Sequence, residues 1–346
     1  MSAPELTAIG VDPAVVDMMD AVFADYRDTH SPTEGRIVRD RALWRALDDL
    51  GLVRLTGAES AGGSGAGWYE AAELLSATVR HGVRIPLAEH DLLACWLLEA
   101  AGLPCDESVR TVALLDDQGN ATAVPWAASA ERIVLVWPSG DEYRVADAGV
   151  SAVEIKRGAN MIGEPRDTVI ADVSTLPGVP VTAALVAELR RKSALVRAIQ
   201  VCAALDRTLA LSIEHTTSRI QFGRPLAKFQ SVQNLIADIA AEAALARSAT
   251  EAALTAALAS QWSDPRLDFL IAVARSCTGH AASVVVRNAH QVHGAIGTTR
   301  EHRLHEFTRP ALAWRSEFGS VAHWDDHATD AALRAGAAGL WGVVTG

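Results

Sequence analysis

Apolar residues recur every three or four positions through the second half of the chain, which is the spacing of one face of an α-helix. The clearest series is Leu195, Ile199, Cys202, Leu205, Leu209 and Ile213. A second series begins at Phe229, and a third follows Asp264-Pro265, where proline suits a first helical turn. These patterns predict a C-terminal four-helix bundle over residues 183–346.

The first hundred residues also favour helices, separated by glycine-rich stretches. One helical pattern stops at Gly51, another spans Glu70–Val79, and residues 84–103 predict two short helices. The intervening glycines at 62–67 lack the lysine of a phosphate-binding loop, and no apolar strand precedes them. We therefore predict a plain interhelical loop there rather than a phosphate cradle.

The pattern changes between residues 106 and 182, where short β-branched runs alternate with turn residues. Such runs predict a small sheet or barrel. The runs are TVALL, ERIVLVW, EYRVAD and DTVIADV. The predicted fold is mainly α with a small central β domain, divided into an N-terminal helical domain (1–105), a β domain (106–182) and the bundle (183–346).

Composition excludes several classes of protein. Hydrophobic residues make up 49% and charged residues 21%, an ordinary globular balance. Lys and Arg number 31 against 42 Asp and Glu, a net charge of −11, which disfavours nucleic-acid binding. MSAPELTAIG does not resemble a secretory leader, and no run of 18 apolar residues predicts a membrane span. Four widely spaced cysteines indicate neither disulfides nor zinc, so we expect a cytoplasmic protein.

Two histidine pairs raise the question of a metal. His302 and His305 are three residues apart and could share a helix face, and His290 and His293 have the same spacing. The run EHRLHE is more easily explained as a solvated, salt-bridged segment, because no third ligand is placed beside it. The sequence therefore predicts no metal site.

Two segments favour a ligand-binding role, and the alternative for either one alone is a helix–helix turn with a surface arginine. The first, RIQFGRPL at 219–226, lies between two predicted helices, where a guanidinium beside a helix start suits a pyrophosphate. The second, QVHGAIG at 291–297, ends a long helix, and its small residues would let a ligand approach the backbone closely.

In this order, and about 70 residues apart, the two segments resemble the C-terminal helical domain of the acyl-CoA dehydrogenase family. LWRALDDLGLVRLTGAESAGGSGAG extends the resemblance to the N-terminal half. The shortened centre is most similar to compact actinobacterial members, some of which form heteromeric pairs on steroid or bulky acyl-CoA substrates. The resemblance implies FAD-dependent α,β-dehydrogenation of an acyl-CoA to a 2-enoyl-CoA, with electrons passed to an electron-transfer flavoprotein.

The resemblance also implies roles for individual residues. Arg219 matches the arginine that contacts the FAD pyrophosphate, and Phe222 and Gln230 match positions near the adenosine half. Gln291 and Gly294 match the Gln-x-x-Gly segment that also holds the dinucleotide. In the family these groups serve the flavin of a neighbouring subunit, so a homo-oligomer or a heteromer with a related subunit is implied.

The sequence departs from the family in the regions that would surround a chain's own flavin ring. The Thr-Glu-Pro-Gly-x-Gly-Ser-Asp stretch of the middle domain is absent, and residues 123–129 are its nearest counterpart. The family's catalytic Glu directly precedes a Gly, but here Phe318 precedes Gly319 and Glu317 lies one residue early. One residue is about a 100° turn on a helix. Glu317 is the best candidate base, and its alternative is a surface Glu paired with Arg315 or another cation.

Some members carry the base on the long helix before the Arg-x-x-Phe-Gly motif. Here the matching position is near Ser193 or Ala194, neither of which can act as a base, and Glu188 would need an offset.

Three hypotheses follow. The chain is a competent dehydrogenase with Glu317 as base, a non-catalytic subunit that completes a partner's FAD site, or a helical scaffold without flavin.

Overall fold

The computed structural model of the protein describes residues 10–30 and 35–345, and the predicted absence of a leader concerns residues outside this range. The described residues up to Lys192 form one compact unit, and those from Ser193 onward form the other. We call them the N-terminal and C-terminal units. The boundaries of the three predicted domains stay a prediction.

Helices open the N-terminal unit, as the sequence predicts. Helix α2 begins where the Asp40 carboxylate accepts hydrogen bonds from the Ala42 and Leu43 amides. The predicted helix at 70–79 is present as α3, and the glycine-rich stretch before it is a loop. The bounds are α1 Pro13–Thr29, α2 Arg41–Asp49, α3 Trp68–Arg80 and α4 Trp96–Ala100.

The prediction of two short helices over 84–103 is wrong in one respect. A π-helical stretch, Ala88–Cys95, continues directly into α4 without a break. The sequence carries no turn signal between the two, and periodicity does not distinguish π from α geometry over so short a stretch.

The middle of the chain forms two small sheets rather than a closed barrel in the part of the chain that the structure describes. Strands β1 and β3 pair in parallel, and β4 and β7 extend this sheet antiparallel in the order β1-β3-β4-β7. The second sheet has the order β2-β6-β5. The bounds are β1 Arg110–Leu114, β2 Asn120–Pro125, β3 Arg132–Ser139, β4 Glu142–Gly149, β5 Glu154–Lys156, β6 Arg166–Ile170 and β7 Val179–Val181.

An apolar core joins the two sheets. Ile133 and Leu135 of β3 are fully buried, as is Val169 of β6. Side chains alternate along β3, so Ile133 and Leu135 point to the same face of the sheet. Burial of this kind requires β-branched and aliphatic residues, and four of the seven strands in this region were therefore recognisable from the sequence as apolar runs.

The predicted C-terminal helical bundle is present. Its long helices are α5 Ala183–Ser218, α6 Gln230–Ala259, α7 Leu267–His293 and α9 Val321–Thr345, with α9 interrupted at Gly336. Helix α7 packs against α6 and α9. A short hairpin of β8 Ile220–Gln221 and β9 Arg224–Pro225 joins α5 to α6, and α8 His305–Trp314 precedes α9. Alanines at the buried positions of α6 let these helices approach closely.

One helical segment among the described residues, Leu267–Thr298, is long and apolar enough to cross a membrane by length and composition. Half of the qualifying stretch is buried inside the protein, as expected for a core helix. The absence of a membrane span stays a prediction from the sequence.

Candidate functional site

The hairpin after α5 carries two of the predicted flavin-binding residues at the surface. Arg219 is exposed, and its backbone is fixed because its amide donates to the His215 carbonyl and its carbonyl accepts from the Leu226 amide. Phe222 lies at the hairpin tip with 88% of its surface exposed and a left-handed φ of 52°. Gln230, also exposed, is the first residue of α6. The hairpin therefore presents a guanidinium and an aromatic ring to the outside.

The end of α7 carries the other two predicted residues. Gln291 is exposed in the last turn, and Gly294 follows the helix with a φ of 62°. A Cβ built on Gly294 would meet no atom within 4 Å, so the space beside this backbone is open. The positive φ is the property that favours glycine here, and the open space lets a ligand approach the backbone.

Three histidines bring the ends of α5 and α7 together. The His215 ring of α5 stacks on the His293 ring of α7 with centroids 4.5 Å apart, and His302 contacts both. Arg219 lies one helical turn beyond His215, and Gln291 lies two residues before His293. The two sequence segments that carry the family resemblance thus meet at one end of the bundle, which we call the exposed end.

Burial keeps these imidazoles neutral near pH 7. It lowers the pKa of His293 to about 4, and it is also the largest cause of the lowered pKa of His215 and of His302. His215 is lowered further by the neighbouring His302 and Arg219. The permanent positive charge nearby is the Arg219 guanidinium, which suits an anionic ligand.

Glu317, the candidate base, is engaged in an ion pair. Its Oε2 accepts from Nε of Arg197 at 2.7 Å, and the Arg197 side chain is 1% exposed against 15% for Glu317. Arg197 also donates to the Gln200 side chain at 2.6 Å and lies over the Phe318 ring. The expected alternative partner, Arg315, instead donates to Ser283. Glu317 therefore pairs with a cation other than Arg315, the buried Arg197 of α5.

A second buried arginine fixes the backbone of this turn. Arg275 of α7 is fully buried, and its Nη2 donates to the carbonyls of Arg315, Glu317 and Gly319 at 3.0, 2.7 and 3.3 Å. Its pKa is lowered to about 9, first by burial and then by Arg197, which still leaves it charged at pH 7. The 315–319 turn is thus held by two guanidiniums, one at a side chain and one along the backbone.

The alternative carboxylate on the long helix is also paired. Glu188 lies 3.3 Å from Nζ of Lys192, which is buried over the rings of Trp68 and Trp96. Burial is the largest cause that lowers the pKa of Lys192 to about 8. Glu188 thus belongs to a structural cluster of the N-terminal unit.

The nearest counterpart of the family's Thr-Glu-Pro-Gly stretch is apolar and folded inward. Trp126 is 3% exposed in a left-handed conformation, and the Ala128 amide donates to the Asp167 carboxylate at 2.8 Å. A cavity of about 250 Å³ lies beside this segment. Its lining residues are Ala127, Ala128, Val150, Val153, Ile155 and Arg157.

Sequence reasoning missed Arg197, Arg275 and His215. Each lies on a long helix among apolar residues, where a charged or polar residue at a core position was the available signal. It also paired His302 with His305, whereas the structure groups His302 with His215 and His293.

The chain is similar to known proteins in sequence. The family profile described as "Acyl-CoA dehydrogenase, C-terminal domain" matches residues 188–322. Acyl-CoA dehydrogenase IpdE2 of Mycobacterium tuberculosis is 29% identical over 280 residues, which cover 79% of this chain and 80% of the relative. Acyl-CoA dehydrogenase FadE27 of the same organism is 28% identical over 304 residues, covering 78% and 82%.

Solved structures show the same fold. A chain of the ChsE4–ChsE5 complex from Mycobacterium tuberculosis superposes with a TM-score of 0.81 at 21% identity, over 96% of this chain and 98% of that chain. Butyryl-CoA dehydrogenase from Megasphaera elsdenii gives 0.76 at 16% identity, over 94% and 99%. The helices, small sheets and helical bundle therefore have the fold of acyl-CoA dehydrogenases. Residues 188–322 match the C-terminal domain of that family, and the chain is similar to acyl-CoA dehydrogenases over most of its length.

Proposed function

We propose that this chain is a subunit of an FAD-dependent acyl-CoA dehydrogenase assembly, in which its exposed end binds the adenosine and diphosphate of the flavin and a related partner subunit supplies the catalytic base. The observation that carries the proposal is the contrast at Glu317. The only carboxylate that the sequence offers near the family's base position neutralises buried Arg197 at 2.7 Å, whereas Arg219 is exposed.

The groups at the exposed end fit the adenosine diphosphate part of FAD. Arg219 offers a guanidinium suited to bidentate contact with phosphate oxygens. Gln291 and Gln230 offer carboxamides, and the open backbone at Gly294 allows close approach. Phe222 offers an exposed ring face for an adenine. When bound, FAD would supply the two-electron acceptor for α,β-oxidation of an acyl-CoA thioester.

An engaged Glu317 is poorly suited to take a proton from a substrate carbon. A carboxylate beside a guanidinium is stabilised in its charged form, which weakens it as a base, since general-base efficiency rises with the basicity of the group. Moving it towards a substrate would also leave Arg197 buried without this counter-charge, which is costly. These two effects favour a structural role for Glu317.

Assembly with a different subunit is supported by a structural neighbour. The ChsE4–ChsE5 structure is a complex of two differently named chains, and one of them shares this fold over nearly its full length. We infer a heteromer of the same kind for this chain, with an acyl-CoA as substrate and an electron-transfer flavoprotein as the electron acceptor of the assembly.

The test is flavin content after co-expression with a related acyl-CoA dehydrogenase subunit. We expect the chain alone to be colourless and the complex to be yellow. Arg219→Ala should weaken flavin binding by the complex about 10- to 100-fold, because hydrogen bonds to charged groups contribute about 1.5–3 kcal/mol. Arg334→Ala, an exposed arginine on α9, is the matched control and should retain flavin.

Other results would favour the other hypotheses. A chain that is yellow alone, bleaches with an acyl-CoA, and loses bleaching in Glu317→Gln would establish a self-sufficient enzyme. Full flavin content in the Arg219→Ala complex would contradict the proposed role of the exposed end. A complex without flavin would support a scaffold.

A further inference from the structure

Three imidazoles from distant parts of the chain converge beneath the exposed end. His215 lies near the end of α5, His293 is the last residue of α7, and His302 lies nine residues after the end of that helix. One ring nitrogen of each histidine lies within 4.8 Å of the others. The proposed flavin contacts do not use any of these side chains.

His293 is oriented as metal-binding histidines commonly are. Its Nδ1 lies 2.7 Å from the Ala289 carbonyl, and because a carbonyl only accepts, Nδ1 carries the proton. Nε2 is then the lone-pair nitrogen; it is buried without a hydrogen-bond partner among the residues that the structure describes, and His293 as a whole is 5% exposed. A backbone carbonyl that fixes the tautomer is the usual outer contact of a coordinating histidine. A buried acceptor without a donor is costly unless something fills that role.

The electrostatic surroundings are compatible with a cation. All three imidazoles have lowered pKa values, with burial the largest cause, so they are neutral at pH 7, as metal ligands must be. The negative charge of the Glu214 carboxylate acts on His302 and would favour a bound cation. The positive charge of Arg219 acts on His215 and would oppose a bound cation.

We propose that His215, His293 and His302 form a binding site for a divalent late transition metal, with zinc as the representative ion. Zinc–nitrogen bonds of 2.0–2.1 Å require nitrogens about 3.3 Å apart in a tetrahedral site, so nitrogens now up to 4.8 Å apart need to approach by up to about 1.5 Å. His302 would give up the Leu304 amide, which donates to its Nδ1 at 3.1 Å, when it coordinates through Nε2. The partial exposure of His215 and His302 leaves a fourth position open to water or an exogenous ligand.

The site has a consequence for the proposed flavin contacts. A metal bound to His215 and His293 would join the ends of α5 and α7, which carry Arg219 and Gln291. It would also place positive charge near a region proposed to receive a diphosphate. The metal would therefore order the exposed end before an anionic ligand arrives.

The experiment titrates untagged, metal-free protein with Co²⁺, whose visible absorption reports tetrahedral nitrogen coordination, and then displaces it with Zn²⁺. His323 and His327 on α9, whose rings lie 4.1 Å apart, are replaced by glutamine in every sample to remove a second histidine pair. We expect one equivalent of Co²⁺ to bind. His293→Gln and His302→Gln should each weaken binding at least about 100-fold, more than loss of an outer contact does.

His305→Gln is the matched control, because His305 contacts the His302 backbone carbonyl at 2.9 Å but lies outside the cluster, and it should bind Co²⁺ like the parent. If circular dichroism shows that His293→Gln is misfolded, His302→Gln decides, since His302 is only partly buried. The proposal is overturned if the parent binds no Co²⁺ at one saturable site, or if a folded His302→Gln variant binds it unchanged. No flavin is involved, so either result leaves the proposed function untouched.

Discussion

Two regions of the C-terminal unit use arginine in opposite ways. At the exposed end, Arg219 stands at the surface beside an 88% exposed aromatic ring. At the 315–319 turn, Arg197 and Arg275 are buried and bound to the residues that surround the candidate base. The comparison teaches that a charged side chain at the surface, such as Arg219, keeps its hydrogen-bonding capacity available for a ligand, whereas the charge of Glu317 is engaged in an ion pair that stabilises the fold.

The largest expected effect comes from removing the Glu317 carboxylate. Glu317→Ala leaves Arg197 buried without its 2.7 Å partner and should lower the free energy of unfolding by about 3–5 kcal/mol. Chemical denaturation of the purified chain measures this change. Glu317→Gln, which keeps a hydrogen-bond acceptor, should cost less. A Glu317→Ala variant as stable as the parent would show that the ion pair is not structural, and would return Glu317 to the role of base.

A buried carboxylate bonded to neutral donors should behave differently from Glu317. Oδ2 of Asp91 accepts from the amide and hydroxyl of Thr56, both at 3.0 Å, and burial raises the pKa of Asp91 to about 6. Because the folded-state pKa is raised, the protonated form contributes stability that is present below about pH 4 and lost as the pH rises through 6.

Asp91→Asn should therefore raise the free energy of unfolding at pH 8 by about 1–3 kcal/mol, at 1.36 kcal/mol per pKa unit, with no gain at pH 4. Denaturation of both proteins at the two pH values checks this. An equal effect at pH 4 and pH 8 would rule out ionisation as the cause.

The smallest effect on stability is expected at the hairpin tip. Phe222 is exposed and adopts a φ of 52°, which costs about 1–2 kcal/mol for a side chain with a Cβ. Phe222→Gly relieves this strain, but it also increases the conformational entropy of the unfolded chain. The free energy of unfolding should therefore rise by at most about 1 kcal/mol. Flavin affinity of the complex should fall at the same time. Loss of stability without loss of flavin would show that Phe222 maintains the fold and does not contact the flavin.

The fold was predictable where one period dominates the sequence. The series from Leu195 to Ile213 marks α5, and the β-branched run at 131–137 marks β3, because burial of one face imposes the spacing. The π-helical stretch at 88–95 was not predictable, since its pattern resembles a short α-helix. Strand β2 was not predicted, because its mostly small residues do not form a β-branched run.

The site was predictable only as far as local motifs reach. The residues of the RIQFGRPL and QVHGAIG segments are found at the exposed end, where their assigned contacts to flavin stay a prediction. The Arg197–Glu317 pair joins residues 120 positions apart, and the histidine cluster joins α5 to the segment after α7. No local pattern encodes such pairings, because they depend on how the helices pack.

The three carbonyl contacts of Arg275 have an evolutionary consequence. The path of residues 315–319 is set from a different helix, through backbone atoms that every amino acid possesses. Side chains within this pentapeptide can therefore change over generations while the chain keeps the same course. During evolution a catalytic side chain in this turn could be replaced by another, or lost when a neighbouring subunit carries out the reaction, without a change in the backbone structure.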